Sequence, residues 1–437
     1  MELKEADRGN VAAGQHASRS INLDYPFIDG RLSFMDMEKI NVFVSPGSGD
    51  LTGGTHLAIQ AAIDYVSGLG GGVVRLGAGI YEIDSALHLR TGVELCGTPG
   101  ETVLRRGEER VSPLLADADL HEREVTVQYP DYFPIGQSII VKLADRSKGF
   151  LDTTATVIGK RGSVLYLDRE LYATIFVHEG GIVSTLSPVV SAYECRDVVL
   201  RHLHIEGNRE RNSLANGCRL AGIYLFQCHN ALLEHCQVYR YNGDGISYQG
   251  GSDIAVAHCD CSDNSGKGIH PGSGTDRTRI SHSRFAGNGM DGIFFCWRVR
   301  SGIVEYCDSS GNGMSGFSIG HKDTGNWIRH NRFAGNRYYG LFFRNEPDPM
   351  AASQNIVRHN RIEDNGSKEM GYVGIRLRGS TRDVEIGCND IRFPKGAAGT
   401  IGICMEEHVQ DIRLLDNTFL NCCKDVHTHW LLDEETH

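Results

Sequence analysis

The chain has 437 residues and a formal net charge of −11, with no block of Lys or Arg, so neither nucleic acid nor an anionic membrane is expected as its main partner. No apolar run approaches the roughly eighteen residues of a membrane-spanning helix. The 53 glycines and 11 prolines follow no Gly-X-Y period, which excludes collagen and indicates many turns between short strands.

The 13 cysteines are scattered without CxxC pairs, so neither a disulfide framework nor a zinc site is expected. The opening "MELKEADRGN" has no basic segment followed by an apolar one, so we expect no signal peptide and a cytoplasmic protein. An exported protein whose signal was trimmed stays open, as does a homo-oligomer. We expect no cofactor and no metal.

Residues 1–40 carry little pattern and are predicted to form an N-terminal arm, after which residues 41–116 begin the main fold. The segment "GGTHLAIQAAIDYVSG" predicts an amphipathic helix over residues 55–66, because its apolar residues recur at helical spacing. Strands are expected at 73–76, 81–83, 87–89 and 93–96. Residues 117–182 alternate between Gly corners and predict a small β-rich insertion.

An internal repeat dominates residues 183–425, and residues 426–437 are predicted to be a C-terminal tail. From residue 221, a glycine followed by an apolar residue recurs at spacings of 23, 23, 24, 24, 24, 34 and 28 residues. The pairs are Gly222-Ile223, Gly245-Ile246, Gly268-Ile269, Gly292-Ile293, Gly316-Phe317, Gly340-Leu341, Gly374-Ile375 and Gly402-Ile403.

This period predicts a parallel β-helix, because a unit of about 24 residues is too short for a propeller blade. Short alternating strands between Asn and Gly corners fit such an all-β coil. Asn suits the corners because it tolerates a left-handed backbone. Cysteines at repeated positions, such as Cys236, Cys259 and Cys307, are interpreted as small buried apolar residues.

The segment from "GGTHLAIQ" to "GVELCG" resembles the opening of the pectate-lyase-like superfamily, in which a helix caps the first coil. Gly77 stands where that family usually has Pro, and "GSGDLTGGT" stands where it has an Asp-rich segment. The resemblance covers roughly residues 40–425 and implies a right-handed, single-stranded parallel β-helix with an N-terminal capping helix. It implies a carbohydrate-active protein without choosing an activity, because the fold hosts lyases, glycoside hydrolases, epimerases and tailspikes.

Outward side chains of stacked strands would form a groove in such a helix. Aromatic rings beside carboxylates, Arg and His suit sugar rings, whose apolar faces stack while their hydroxyls form hydrogen bonds. The alternative for the rings Phe294 and Trp297 is packing beneath the insertion. The predicted substrate-binding residues are Tyr224, Phe294, Trp297, Arg298, Lys322, Asp323, Arg344, Glu346 and Arg376.

Asp244 and Asp291 are the predicted acid/base pair. Each precedes a glycine at an equivalent position two coils apart, which places their backbones about 9.6 Å apart. This is near the upper end of the carboxylate spacing of roughly 6.5–9.5 Å in inverting glycosidases. His270 lies on the coil between them and is a further catalytic candidate. The alternatives are turn residues for the aspartates and a surface histidine for His270.

A charged edge is expected where "GHKDTGN" and "FRNE" close neighbouring coils. His321 is a catalytic candidate there, and Arg344 would bind a carboxylate with two parallel hydrogen bonds. The alternative is a surface cluster of ion pairs, which contributes little.

The leading hypothesis is hydrolysis of glycosidic bonds in a poly- or oligosaccharide. A lyase acting on a uronate-containing glycan is the first alternative, with Lys267, His270, Arg298 and Arg344 as candidates for its base and cation. A non-catalytic glycan-binding or tailspike-like module is the second. The "DPHD" or "DPHE" motif of mannuronan epimerases is missing.

Overall fold

The computed structural model describes residues 39–428, so nearly all of the predicted arm and most of the predicted tail lie outside the described residues. The chain in this range is a right-handed parallel β-helix, as predicted. Its α-helix, His56–Gly68, is the only one among the described residues, and no described helix is long and apolar enough to span a bilayer.

The helix caps the first coil because its apolar residues share one face. Ile59, Ala62, Ile63 and Val66 follow helical spacing, and all are buried against the first strands. The helix ends at Gly68, and Gly70 with Gly71 continue the chain at φ values of 92° and 108°. The observed helix lies within two residues of the prediction.

Each coil contributes strands to three faces. The first face consists of Leu87–His88, Val190–Tyr193, the first halves of Ala221–Glu234 and Asp244–Ala257, Ile269–Gly272, Ile293–Phe294, Phe317–Ile319, Tyr339–Phe343, Tyr372–Leu377, Thr400–Met405 and Lys424–Thr428.

The second face continues from the first. It consists of Ile40–Ser45 with Leu51–Thr52, then Gly72–Leu76, Val93–Cys96, Arg196–Arg201, the second halves of Ala221–Glu234 and Asp244–Ala257, Arg279–Ser281, Ile303–Glu305, Trp327–Arg329, Ile356–Arg358, Arg382–Gly387 and Gln410–Leu415.

The third face is a separate sheet. It consists of Gly79–Ile83, Thr102–Arg106, His204–Glu206, Gln237–Tyr239, Asp260–Ser262, Arg284–Ala286, Asp308–Ser310, Arg332–Ala334, Arg361–Glu363, Asp390–Arg392 and Thr418–Leu420.

The predicted repeat gives the observed register of the first face. The apolar residue of each Gly-apolar pair lies opposite its counterpart in the next coil, from Ile223 and Ile246 to Ile375 and Ile403. Every one of these side chains is fully buried. They form one continuous apolar column along the axis of the helix.

Asparagine ladders pair the buried polar groups at the corners. In the longest, each side-chain amide donates to the next Asn Oδ1 at 2.9–3.1 Å, and that oxygen also accepts a backbone N–H. Its members are Asn264, Asn288, Asn312, Asn336 and Asn365. A second ladder runs from Asn331 to Asn417.

The cysteines extend the second ladder. Cys236, Cys259 and Cys307 are buried, and their thiols donate to backbone carbonyls of the same and the preceding coil. All 13 cysteines lie within the described residues, and none forms a disulfide, as predicted.

An antiparallel sheet of six strands interrupts the coils where the β-rich insertion is predicted. Its strands are Val111–Pro113, Glu124–Thr126, Ser138–Leu143, Thr153–Arg161, Val164–Leu167 and Gly181–Ser184. It has a separate apolar core. Arg219 joins it to the coils, because its guanidinium lies 5.2 Å and 4.4 Å from the Phe150 and Tyr172 rings of the insertion and 5.6 Å from Phe226.

Asn312→Ala should lower the free energy of unfolding by about 2–4 kcal/mol, because it removes the hydrogen bonds that the buried Asn288 backbone N–H and the Phe285 carbonyl form with the Asn312 side chain. Asn345→Ala, at an exposed position, is the matched control. Denaturant unfolding measures both. An equal effect of the two substitutions would contradict a stabilising role for the ladder.

Candidate active site

The candidate site lies on the first face, where one column contains alternating charges. Asp244, Lys267 and Asp291 occupy equivalent positions, because the glycine after each residue donates its N–H to the carbonyl of the next residue in the column. Lys267 therefore lies between the two aspartates. Both carboxylates accept the backbone N–H of the following coil, Asp244 from Lys267 at 2.8 Å and Asp291 from Ser315 at 3.0 Å.

Asp244 forms a buried pair with His270. Its Oδ2 lies 2.8 Å from His270 Nδ1, and its Oδ1 lies 3.7 Å from Lys267 Nζ. Asp244 is only 1% exposed and His270 only 4%. Burial opposes ionisation of Asp244, but the Lys267 charge and the His270 hydrogen bond hold its pKa below the usual value. Burial lowers the pKa of His270, so the pair is a carboxylate and a neutral imidazole.

The surroundings of Asp291 favour the protonated carboxyl, in contrast to those of Asp244. It is 3% exposed, and no cation of the described residues lies within ion-pair distance of its carboxyl. Burial raises its pKa to about 6, although Lys267 and Arg344 act in the other direction. Two aspartates at equivalent positions therefore differ in protonation near pH 5.

Residues 207–220 cover Asp244. Ser247 donates to the Gly217 carbonyl at 2.7 Å, and a Cβ on Gly217 would overlap Asp244 Oδ2 and lie 2.8 Å from His270 Nδ1. Tyr224 donates to the Cys218 carbonyl at 2.8 Å. The expectation that Tyr224 is exposed on the groove is therefore wrong, since this segment buries it fully.

The Phe294 ring is half-buried between two cations. Arg344 lies over it at 4.4 Å and Lys267 at 4.9 Å, while the His270 ring meets it edge-on at 5.1 Å. The ring therefore binds protein cations in this structure and does not form a bare platform. Trp297, three residues further along the same coil, is 46% exposed.

The charged edge is assembled around His321. His321 Nε2 lies 2.6 Å from Glu346 Oε1, and its Nδ1 lies 3.3 Å from Arg344 Nη2 and 3.4 Å from Cys296 Sγ. The Trp297 ring lies 5.5 Å from the imidazole. Burial and the Arg344 charge lower the pKa of His321 to about 4.

The other predicted edge residues have separate positions. Asp323 is fully buried, accepts the backbone N–H groups of Val299 and Gly320, and lies 3.5 Å from Arg344. Burial raises its pKa to about 6. Its geometry indicates that it supports the turn. Arg298 and Lys322 are exposed beside it.

Arg376 is not part of this groove surface. It is fully buried and donates to Glu406 Oε1 at 3.1 Å and 2.7 Å and to the Tyr339 hydroxyl. The expectation that Arg376 is exposed on the groove is wrong, because it is buried and Glu406 from the next coil pairs with its charge.

Cys296 and Gly217 are contributors that the sequence patterns did not single out. Cys296 directly follows the apolar residues "GIFF". Its contact with His321 depends on left-handed backbone at Trp297 and His321, with φ values of 69° and 45°. No group of three or more His, Cys, Asp or Glu within residues 39–428 is arranged to hold a metal ion.

A separate cavity of about 810 Å³ lies between the capping helix and the insertion. Its wall includes His56, Asp84 and Glu109. Glu109 accepts hydrogen bonds from the Ser184 hydroxyl at 2.5 Å and from the Ser213 N–H at 2.6 Å, so its carboxylate fastens neighbouring segments.

Comparison with known proteins supports the fold. The family described as "Right handed beta helix region" matches residues 189–298, 221–391 and 272–427. No curated protein sequence matches the chain.

Solved structures with the same architecture are distant in sequence. The A-module of a mannuronan C-5 epimerase from Azotobacter vinelandii has a TM-score of 0.55 and 16% identity, covering 86% of this chain and 96% of that one. The tailspike gp61 of Pseudomonas phage phi297 has a TM-score of 0.50 and 10% identity, covering 84% and 69%. A structure titled "Glycoside hydrolase" has a TM-score of 0.50 and 10% identity, covering 90% and 97%.

Gly217→Ala should destabilise the protein by about 1–3 kcal/mol, because the added methyl overlaps Asp244 and forces residues 207–220 outward. Gly68→Ala is the control, since a Cβ there meets nothing within 4 Å. Denaturant unfolding and limited proteolysis test the pair. Unchanged stability and unchanged cleavage within 207–220 would contradict the close cover over Asp244.

Proposed function

The chain belongs to the right-handed β-helix family, and from this membership we propose that it is a carbohydrate-active enzyme that hydrolyses glycosidic bonds of a poly- or oligosaccharide. The observation that carries the proposal is the pair Asp244 and Asp291. These carboxyls are equivalent in the repeat, yet their surroundings move their pKa values in opposite directions. Such a divergence separates an acid from a base.

Asp291 is the general acid in this proposal. Its raised pKa keeps a proton on the carboxyl in mildly acidic solution, and that proton passes to the leaving glycosidic oxygen. Asp244 stays ionised and takes the proton of the attacking water. Their two-coil separation of about 9.6 Å in the backbone is close to the carboxylate spacing of inverting glycosidases, which favours inversion.

Lys267 and His270 position the base. Lys267 donates its backbone N–H to Asp244 and places its ammonium 3.7 Å from the same oxygen. Access to Asp244 requires residues 207–220 to move away from it, because Gly217 lies against its carboxylate. Trp297, which is 46% exposed, is the stacking surface for a sugar ring.

A lyase acting on a uronate-containing glycan is the second candidate. It is favoured by the two cations, Lys267 and Arg344, that lie on the Phe294 ring. Such cations would neutralise a uronate carboxylate, and His270 would be the neutral base. The distant structures include a mannuronan C-5 epimerase module and a glycoside hydrolase, which supports a carbohydrate substrate without selecting between these reactions.

A panel of glycans, assayed for new reducing ends and for ultraviolet absorbance, tests the proposal. Hydrolysis should give new reducing ends without the ultraviolet absorbance of unsaturated uronates, whereas a lyase gives both and a binding protein gives neither. On the substrate found, Asp291→Asn and Asp244→Asn should each lower the rate by about 10²–10⁴-fold, because each removes a proton carrier.

Asparagine preserves the fold in this test, because its Oδ1 accepts the same backbone N–H that each aspartate accepts now. Asp308→Asn, in an exposed ion pair with Arg332 on the third face, is the control for the substitution itself. Near-full activity of both site variants would make the aspartates turn residues and refute the assignment.

The rate should depend on pH in a bell shape. The high-pH limb should lie near pH 6, because Asp291 loses its proton there, and the low-pH limb should lie below the usual aspartate range. Lys267→Met should move both limbs to higher pH, since the Lys267 charge lowers both pKa values. Lys395→Met, at an exposed site, should leave them in place. A high-pH limb that does not move with Lys267→Met would count against Asp291 as the acid.

A further inference from the structure

A second set of reactive side chains lies at the ends of the strands that follow Asp291. Cys296 Sγ lies 3.4 Å from His321 Nδ1, and His321 Nε2 lies 2.6 Å from Glu346 Oε1. The three residues come from successive coils, which stack them in the order thiol, imidazole, carboxylate. A nucleophile, a base and a group that orients the base are the parts of a covalent catalytic site.

The protonation states of Cys296 and His321 follow from the surroundings of these two side chains. Burial raises the pKa of Cys296 to about 12, while burial and Arg344 lower that of His321 to about 4. Near neutral pH the groups are therefore a thiol and a neutral imidazole. Because Glu346 accepts the hydrogen on Nε2, the lone pair of His321 is on Nδ1, where the Cys296 thiol at 3.4 Å and Arg344 Nη2 at 3.3 Å are both donors to it.

Two donors beside these groups have no acceptor. The backbone N–H of Trp297, which directly follows Cys296, donates no hydrogen bond to any of residues 39–428. Arg344 Nε is buried and also unpaired within that range, while Arg344 Nη2 lies 3.3 Å from His321 Nδ1. Unpaired donors next to a nucleophile suit an oxygen that becomes negative during attack on a carbonyl.

We propose that Cys296, His321 and Glu346 form an acyl-transfer site that hydrolyses short O-acyl esters, such as acetyl esters, of a carbohydrate. That the alcohol is a sugar rests on the proposed function of the groove, whereas the thiol chemistry does not. A short acyl group fits because Cys296 is only partly exposed.

The reaction balances without a further reagent. The Cys296 thiol gives its proton to His321 Nδ1 as sulfur bonds to the ester carbonyl carbon, and the carbon–alkoxide bond then breaks. His321 returns the proton to the leaving alkoxide, which leaves a thioester on Cys296. Water, deprotonated by His321, attacks the thioester, and the acid leaves as the thiol regains its proton. Glu346 acts through the imidazole and is a positioning residue.

Hydrolysis of 4-nitrophenyl acetate by the whole chain tests the thiol chemistry. The wild-type protein should release nitrophenol and, after acid quench, carry one acetyl group on the peptide that contains Cys296. Cys296→Ala should lose the activity by about 10²–10⁴-fold. Cys388→Ala, which removes another partly buried thiol, should retain it. Cys296→Ser is the second variant if Cys296→Ala does not fold.

Glu346→Gln tests positioning through the pH profile. Burial raises the pKa of Glu346, whereas the pKa of His321 is about 4, so the Glu346 carboxylate loses its charge before the imidazole gains a proton. Glu346→Gln should therefore lower the rate of ester hydrolysis near neutral pH and remove the part of the low-pH limb that the titration of Glu346 causes, whereas Cys388→Ala should leave the profile unchanged. An unchanged profile would contradict the role of Glu346.

Equal rates for the wild-type protein and Cys296→Ala, or an acetyl group found only on other residues, would overturn the proposal. Release of acetate from an acetylated oligosaccharide would support the claim that the alcohol of the ester is a sugar. Absence of this release would overturn that claim. The nitrophenyl assay contains no glycosidic bond, so a chain that cleaves no glycan but acylates Cys296 refutes the proposed function alone.

Discussion

The constraint on which this structure depends is the pairing of buried polar groups at the corners of stacked coils. Each turn brings backbone N–H and carbonyl groups into the interior, where an unpaired group is costly. Asn288 and Asn312 meet this need because one side chain both donates to a carbonyl and accepts from the neighbouring coil. Once the ladder fixes the coil-to-coil register, every equivalent position becomes a column, and side chains more than twenty residues apart become neighbours.

This regularity is why the sequence predicts the fold in detail. The Gly-apolar pairs repeat at the coil length, so Ile246, Ile269 and Ile293 are aligned by counting alone, and the structure has that register. The columns containing Asp244, His270 and Asp291 follow from the same count. The helix is predicted equally well, since its apolar face is a local pattern.

What the sequence does not predict depends on segments outside the repeat. Tyr224 and Asp244 belong to outward columns, and they are buried because residues 207–220 fold back over them. Arg376 is buried because Glu406 lies in the next coil and pairs with it. The contact of Cys296 with His321 needs left-handed backbone at non-glycine residues, for which the local sequence gives no signal.

Stacking equivalent residues would also place like charges about 5 Å apart, where they repel each other. The chain avoids this repulsion in two ways. On the third face charges alternate along one column, which contains Asp260, Arg284, Asp308 and Arg332, with nitrogen-to-oxygen distances of 3.2 Å and 3.3 Å in its two ion pairs. At one corner aromatic rings stack at 4.9–5.1 Å, and burial together with the neighbouring imidazole lowers the pKa of His202 and His330. That stack consists of His202, His235, His258, His282, Tyr306, His330 and His359.

The charges of Asp244, Lys267 and Asp291 also alternate along their column, but the column has one cation for two carboxylates. The Lys267 ammonium lies 3.7 Å from Asp244, and the next position beyond Asp291 is Ser315, which supplies a backbone N–H and no charge. An alternating column that ends on an unpaired, buried carboxyl leaves that carboxyl protonated at a higher pH than its partner. The difference between the two aspartates therefore arises because Lys267 and His270 both contact Asp244, whereas Asp291 is buried without either contact.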